Sequence, residues 1–353
     1  MKKSVFRKNL IAGTFVVLSV LCLSGCMKKE GSKTGEGIAS IQAGDFDAAL
    51  ASFDEAEHAG ENAVYIHRGR GIAYMSQNRY DEAAKSFEEA LHADGSVPTD
   101  VDYDINFYLG VCYYKLGRYE ESVDRFSAIL ALKEKNVDAY VERGTVYLAL
   151  GKTDEATADF DRAVELAPKD YGLCIDIYCI LREAGKETIG AAYLQNAVDS
   201  EDKKMPDYDK GRLYFYLGDY SNARDYLEKA KGSGNGSEEL ILLLGQCYEN
   251  LNDRTYAISV YTGYLASAQS RAVYNQLGMC YAASGDYQSA LAAFQTGLGL
   301  SDYAFEQELR FNEIVAYEKM GDFITAKDKC AEYVEAYPGD EEGEREYRFL
   351  KTR

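Results

Sequence analysis

The chain has 353 residues, of which 39 are Lys or Arg and 58 are Asp or Glu, giving a net charge of −19. That acidic balance excludes the basic footprint of a nucleic-acid binder and opposes lying flat on an anionic lipid surface. The 30 tyrosines read as packing units, large apolar bodies with one polar tip, and need no ligand to explain them.

In chain order, Lys2, Lys3, Arg7 and Lys8 precede an apolar run from Leu10 to Leu23. This is the order of a secretory signal over residues 1–25, and the run is short for a membrane span. Leu23-Ser24-Gly25-Cys26 resembles the lipobox of bacterial lipoproteins. The resemblance implies cleavage before Cys26, lipidation of its sulfur, and a membrane contact made through the acyl chains alone. Residues 26–36, rich in Lys, Gly and Ser, are expected to be a flexible tether. Without the signal's four basic residues the remainder holds 35 basic and 58 acidic residues, a net −23.

From there on, turn residues recur at Gly44, Asn78, Gly117, Gly151, Gly185, Gly218, Asn252, Gly285 and Gly321, with spacings between 33 and 39 residues. That interval holds two helices and two short turns, a unit that buries its apolar face only by stacking on its neighbours. Before most turns stands a glycine with a tyrosine three later, as in Gly110 and Tyr113 or Gly278 and Tyr281. After them come an alanine, an aromatic four later and a small residue three beyond, as in Ala83, Phe87 and Ala90. These spacings place the residues on one helical face. A glycine inside a helix costs roughly 1 kcal/mol against alanine, so its recurrence predicts close approach of the paired helix, with the ring in the gap.

Gly144, Tyr147, Gly151, Ala156, Phe160, Ala163 and Pro168 together resemble the tetratricopeptide repeat signature, lacking chiefly its tryptophan. The resemblance covers residues 37–340. It implies an all-α fold: a right-handed α-solenoid of about nine antiparallel helix pairs, first helices lining the concave face. Residues 341–353 are expected to form a C-terminal capping helix, with Asp340 as N-cap and Tyr347 and Leu350 covering the last core. Three repeats depart from the pattern. The fifth has Tyr178 for glycine and Gly190 for alanine, the ninth has Ile314 and Cys330 at signature places, and Gly31, Gly35 and Gly37 interrupt an opening helix in the first. Residues 95–103, with Pro98, are expected to be a longer loop, since they carry a five-residue excess over the usual spacing.

Little in the chain suggests chemistry. His58, His67 and His92 fall in no metal-ligand spacing, and Gly232 to Gly236 lacks the lysine of a phosphate-binding loop. No metal, cofactor or enzymatic activity is expected. Cys112, Cys247 and Cys280 occupy one repeated structural position, which reads as a small buried residue, and free thiols are expected there and at Cys174, Cys179 and Cys330. The family resemblance points to first-helix residues as the partner surface: Phe107, Tyr108 and Tyr114; Tyr208, Arg212, Phe215 and Tyr216; Asn275, Gln276, Phe311 and Asn312. Such an aromatic face with a few Arg, Asn and Gln suits a protein or peptide. The paired lysines and asparagines of repeats that clamp a chaperone's C-terminus are missing. The expected role is a lipid-anchored scaffold outside the bacterial cytoplasmic membrane, recruiting a partner for envelope assembly, secretion or wall-enzyme action. The alternatives are a receptor for a peptide or glycan and, less favoured, an unrecognised wall hydrolase.

Overall fold

The computed structural model describes residues 32–93, 99–200, 204–301 and 304–353. The expected signal, Cys26, the first part of the expected tether and Pro98 lie outside them. The described residues hold nineteen α-helices and no strand. They pair across the nine turns: α1 (Lys33–Gln42) with α2 (Phe46–His58), α3 (Ala63–Ser76) with α4 (Tyr80–Ala93), α5 (Asp100–Lys115) with α6 (Tyr119–Leu132), and α7 (Val137–Ala149) with α8 (Thr153–Leu166). Next come α9 (Tyr171–Glu183) with α10 (Glu187–Asp199), and α11 (Asp207–Leu217) with α12 (Tyr220–Gly232). The last pairs are α13 (Glu238–Asn250) with α14 (Arg254–Leu265), α15 (Arg271–Ala283) with α16 (Tyr287–Leu298), and α17 (Glu306–Lys319) with α18 (Phe323–Ala336). A single helix, α19 (Glu341–Leu350), comes after them. The architecture is an α-solenoid of helical hairpins.

Each turn is made by one residue in the left-handed region. Gly151 has φ 75°, and Asn78 and Asn252 take φ 59° and 63°, a conformation asparagine tolerates better than most side chains. The reversal lets Lys152 donate its N–H to the Tyr147 carbonyl at 2.8 Å, satisfying an end-of-helix acceptor. The residue after the turn differs along the chain. In the second to fourth repeats it is a cation lying over the preceding tyrosine, with Arg79 4.4 Å from the Tyr74 ring centre and Arg118 4.1 Å from that of Tyr113. In the last four repeats it is an aspartate, and Asp219, Asp253, Asp286 and Asp322 each cap the second helix by accepting a backbone N–H three residues on.

The helix-interior glycines do what their spacing predicts. A Cβ built on Gly144 would stand 2.6 Å from Cε1 of Phe160, a ring with no solvent exposure. Gly71 and Phe87, Gly110 and Phe126, and Gly278 and Phe294 repeat the arrangement. Two repeats exchange the volumes. In the ninth, Ile314 replaces the glycine and Cys330 the ring, both buried. In the fifth, Tyr178 is 5 % exposed and the second helix supplies Gly190 and Leu194. At these places the bulky side chain stands on the first helix and the second helix carries the smaller residue, Cys330 or Gly190.

The first repeat corrects an expectation. Its opening helix forms from Lys33, inside the stretch expected to be tether, despite Gly35 and Gly37. Gly37 is itself the ring-accepting glycine, facing Phe53. The helix start is held from outside, because the Glu61 carboxylate accepts the N–H groups of Lys33 and Thr34 at 2.8 and 3.0 Å and the Thr34 hydroxyl at 2.6 Å. A carboxylate there also complements the helix dipole. A second correction concerns residues 95–103, whose last four are not loop: Thr99 caps α5 through a capping box with Asp102, and α5 is sixteen residues long.

The helices form two compact units, Met1–Leu173 with Ile180–Gly185 and Cys174–Cys179 with Lys186–Arg353, α9 contributing residues to both. In the first unit the core runs from Phe53 and Phe87 through Ile105 and Leu109, and continues in Phe126 and Ile129. In the second it holds Leu244, Tyr261 and Phe294 and ends at Ile314, Cys330 and Leu350. The six cysteines of the described residues are free thiols, all but Cys179 buried. Burial pushes Cys112 and Cys247 up to about 12, so neither is a nucleophile at neutral pH.

Candidate partner-binding surface

First helices of successive repeats touch one another as well as their own partners. This holds for α1, α3, α5 and α7 in the first unit and for α11, α13, α15 and α17 in the second. The first helices are therefore the closer-set, inner row of each unit. Their side chains facing away from the second helices form the candidate surface.

In the first unit, α5 presents Asp104, Phe107, Val111 and Tyr114 as a half-buried stripe at three- and four-residue intervals. Phe107 packs edge-on against Phe126 with ring centres 5.5 Å apart, and Tyr114 tilts on Tyr119 at 5.7 Å. Asp104 accepts from Arg68 Nε of α3 at 2.6 Å, tying the two first helices together. On the next first helix Glu142 is half-buried, and its carboxyl is pushed up to about 7 by burial, with Asp138 adding repulsion and Lys115 opposing it. Burial likewise raises Asp138, Asp104 and Tyr114. The inner face of the third and fourth repeats thus combines two aromatic rings with carboxylates. Tyr108 does not belong to it. The ring is 5 % exposed and stacks on Phe87 at 5.5 Å, so it is core between repeats.

In the second unit α11 carries four of the expected residues together. Arg212 lies 5.5 Å from the Tyr208 ring centre, and its Nε stands 3.2 Å from a Glu239 oxygen on α13. Tyr208 is raised by burial and by the Glu239 carboxylate. Phe215 meets Tyr216 and Tyr220 edge-on, and Tyr178 meets Tyr216 in the same way at 6.1 Å. Tyr208, Arg212, Phe215 and Tyr216 are all half-buried, with faces left to solvent. Further along, Asn275 is only 1 % exposed and accepts from Asn312 Nδ2 at 2.8 Å. It is a strut between α15 and α17, and as a free recognition group it is withdrawn. Gln276 is half-buried on α15, and Phe311 packs on Tyr333 at 5.6 Å.

Sequence reasoning missed Asp138, Glu142, Glu239 and Met279, which is 38 % exposed on α15. Asp138 and Glu239 stand thirteen residues before Gly151 and Asn252, as Asp104 does before Gly117, so an acid recurring at one register position was the signal available.

The chain belongs to the tetratricopeptide repeat family. Tetratricopeptide repeat models match residues 34–98, 77–136 and 109–171, and also 208–232 and 272–302, together more than half of the chain. Among curated proteins it is 23 % identical over 195 residues to the BBSome complex member BBS4 of Bos taurus, covering 55 % of this chain and 31 % of that one. It is 24 % identical over 174 residues to the TPR repeat-containing protein MJ1428 of Methanocaldococcus jannaschii, covering 46 % of this chain and 30 % of that one. The chain spans about a third or less of the length of these relatives. Among solved structures it is similar to a tetratricopeptide repeat protein from Parabacteroides merdae, at 14 % identity and a TM-score of 0.45, over 72 % of this chain and 98 % of that one.

Proposed function

We propose that this chain is an adaptor that holds a protein or peptide partner on the inner row of its first helices. The observation that carries the reading is the half-exposed stripe of aromatic and charged side chains: Phe107, Tyr114 and Glu142 in one unit, Tyr208, Arg212 and Phe215 in the other. Side chains that served only the fold would be buried, as Tyr108 and Asn275 are. Aromatic rings with charged neighbours give a partner large contact area at low entropic cost. The net charge of −23 beyond the signal supports a partner that is neither nucleic acid nor an anionic lipid surface.

The signal and the lipobox-like Cys26 support a place outside a bacterial cytoplasmic membrane, tethered by acyl chains and serving envelope assembly, secretion or wall-enzyme recruitment. Two experiments bear on this. Crosslinking in intact cells should capture a protein, and capture should fall in Phe107→Ala/Tyr114→Ala or Arg212→Ala/Phe215→Ala chains whose helical content is unchanged. Capture indifferent to both pairs refutes the inner-row reading. Mass spectrometry of the purified protein should find an acylated Cys26 as first residue, and any other mature start refutes the anchor.

A further inference from the structure

The acids at that shared register, Asp104, Asp138 and Glu239, are not treated alike by the fold. Two of them take a cation from the preceding first helix. Arg68 Nε donates to Asp104 at 2.6 Å, and Arg212 Nε stands 3.2 Å from Glu239. Asp138 receives none. The places on α5 that match Arg68 and Arg212, ten and six residues before the turn, are filled by Phe107 and Val111. One helical turn after Asp138, on the same face of α7, comes Glu142. Among the described residues neither carboxylate accepts a hydrogen bond or forms an ion pair. Asp138 is the more open of the two and also suits the start of α7, where negative charge complements the helix dipole. Glu142 lies too deep in the helix for that use, and its carboxyl group is closely surrounded by protein atoms. It faces the end of the α5 stripe, where Tyr114 and Lys115 feel its charge, and α5 and α7 are in contact. Lys115 is exposed, lies 5.9 Å from the Tyr114 ring centre and does not pair with Glu142.

We propose that the first unit receives a basic segment of its partner, and that an Arg or Lys side chain of this segment enters between α5 and α7 to pair with Asp138 and Glu142. The proposal rests on the inner-row reading and adds the partner's chemistry to it. The incoming cation does for Asp138 what Arg68 does for Asp104 one repeat earlier. Phe107, Val111 and Tyr114, packed on the cluster that includes Ala139 of α7, give the aliphatic stem of such a side chain an apolar wall. The half-buried Tyr114 ring stands beside its charged head. A carboxylate partly out of water and without a counter-ion costs stability, and a cation brought by the partner removes that cost. Asp170 and Glu183 add negative charge on the same side, and the chain as a whole is net −19, so a basic segment is drawn toward the site. A neutral or acidic segment laid over Glu142 would cover it without supplying a donor, which selects against such partners.

The probe is an end-blocked peptide, Gly-Ser-Arg-Leu-Arg-Ser-Gly, compared with the same peptide carrying glutamine at both arginines. The salt is set at about 150 mM, which screens charges more than about 8 Å apart. The arginine peptide should bind the full chain and protect α5 and α7 in hydrogen exchange, and the glutamine peptide should do neither. Asp138→Asn/Glu142→Gln should weaken binding at least about tenfold, as loss of a close charge pair does. Glu120→Gln/Glu155→Gln removes the same charge from exposed places on second helices and should leave binding unchanged. Equal binding of the two peptides, no protection of α5 and α7, or an equal loss in the Glu120→Gln/Glu155→Gln chain overturns the proposal. Crosslinking in intact cells separates it from the adaptor reading. Capture that falls in Phe107→Ala/Tyr114→Ala but holds in Asp138→Asn/Glu142→Gln overturns the basic segment and keeps the adaptor, and capture indifferent to every inner-row pair overturns both.

Discussion

Alanine in place of glycine should have opposite effects at two sites of this chain. Every helix-interior glycine loses about 1 kcal/mol against alanine on propensity, so the substitution gains that amount wherever space allows. At Gly263, in α14, a new Cβ meets nothing within 4 Å, and Gly263→Ala should stabilise by up to about 1 kcal/mol. At Gly144 the same Cβ stands 2.6 Å from Phe160 Cε1 and 3.0 Å from two further ring atoms. Phe160 has no exposure and no open volume to retreat into, so the ring or the helix must move. Overpacking of this kind costs about 1–3 kcal/mol, and a rigid ring belongs at the upper end. After the propensity gain, Gly144→Ala should lose about 2 kcal/mol. Urea midpoints for whole-chain helicity, together with hydrogen exchange of α7 and α8 peptides, measure both. Gly144→Ala as stable as Gly263→Ala would refute the claim that these glycines exist to admit a ring. The volume swap native to the ninth repeat supplies the converse: Gly144→Ile with Phe160→Cys should be less damaging than the two single changes summed, by about 1–3 kcal/mol of coupling.

Other expectations rest on contacts of the same kind. Glu61→Ala removes the acceptor of three hydrogen bonds at the start of α1, and exchange protection over residues 33–42 should drop by about 2 kcal/mol with the later repeats unaffected. Asp159 holds Arg143 through two bonds at 2.8 and 2.7 Å, so Asp159→Ala strands a largely buried guanidinium and should cost about 3 kcal/mol by urea denaturation. Glu142, raised to about 7 chiefly by burial, adds stability that is full below the ordinary carboxylate range and lost as pH climbs through that value. Glu142→Gln should therefore flatten the fall in urea midpoint between about pH 5 and pH 8, and an unchanged slope would show that Glu142 titrates normally.

The periodic part of this fold was legible because its causes repeat. A turn needing positive φ selects Gly or Asn every time, and a ring needing a slot selects glycine on the opposite helix. Where the cause was a pair and not a single residue, periodic reading stumbled. Ile314 and Cys330 look like two departures when read singly, yet the structure shows one exchange of volume between two helices. The first helix was missed for a similar reason. Its stability comes from Glu61, 27 residues from Thr34, and no local propensity reveals a cap supplied from the next connection.

The partner surface was legible to a lesser degree, and the reason is physical. Positions that every repeat must fill alike are those facing the partner helix, and they are buried. Positions on the inner row are released from that demand, so they carry no periodic signature beyond their place on the helix. Place alone named Phe107, Tyr114, Tyr208, Arg212 and Phe215, which remain half-exposed. It also named Tyr108 and Asn275, which tie one repeat to the next, Tyr108 by stacking on Phe87 and Asn275 by a bond to Asn312. An aromatic ring or an amide on the inner row can satisfy a neighbouring helix as well as a partner, and only the distance to that helix separates the two uses. Arg212 shows both in one side chain: its Nε faces Glu239 on the next first helix, while its guanidinium lies beside the half-exposed Tyr208 ring. Substituting Glu239 would thus separate bracing from recognition. If Glu239→Gln left the fold intact but altered partner capture, Arg212 would be a recognition residue oriented by its brace. If it loosened α11 against α13 in hydrogen exchange and left capture unchanged, the arginine would belong to the scaffold.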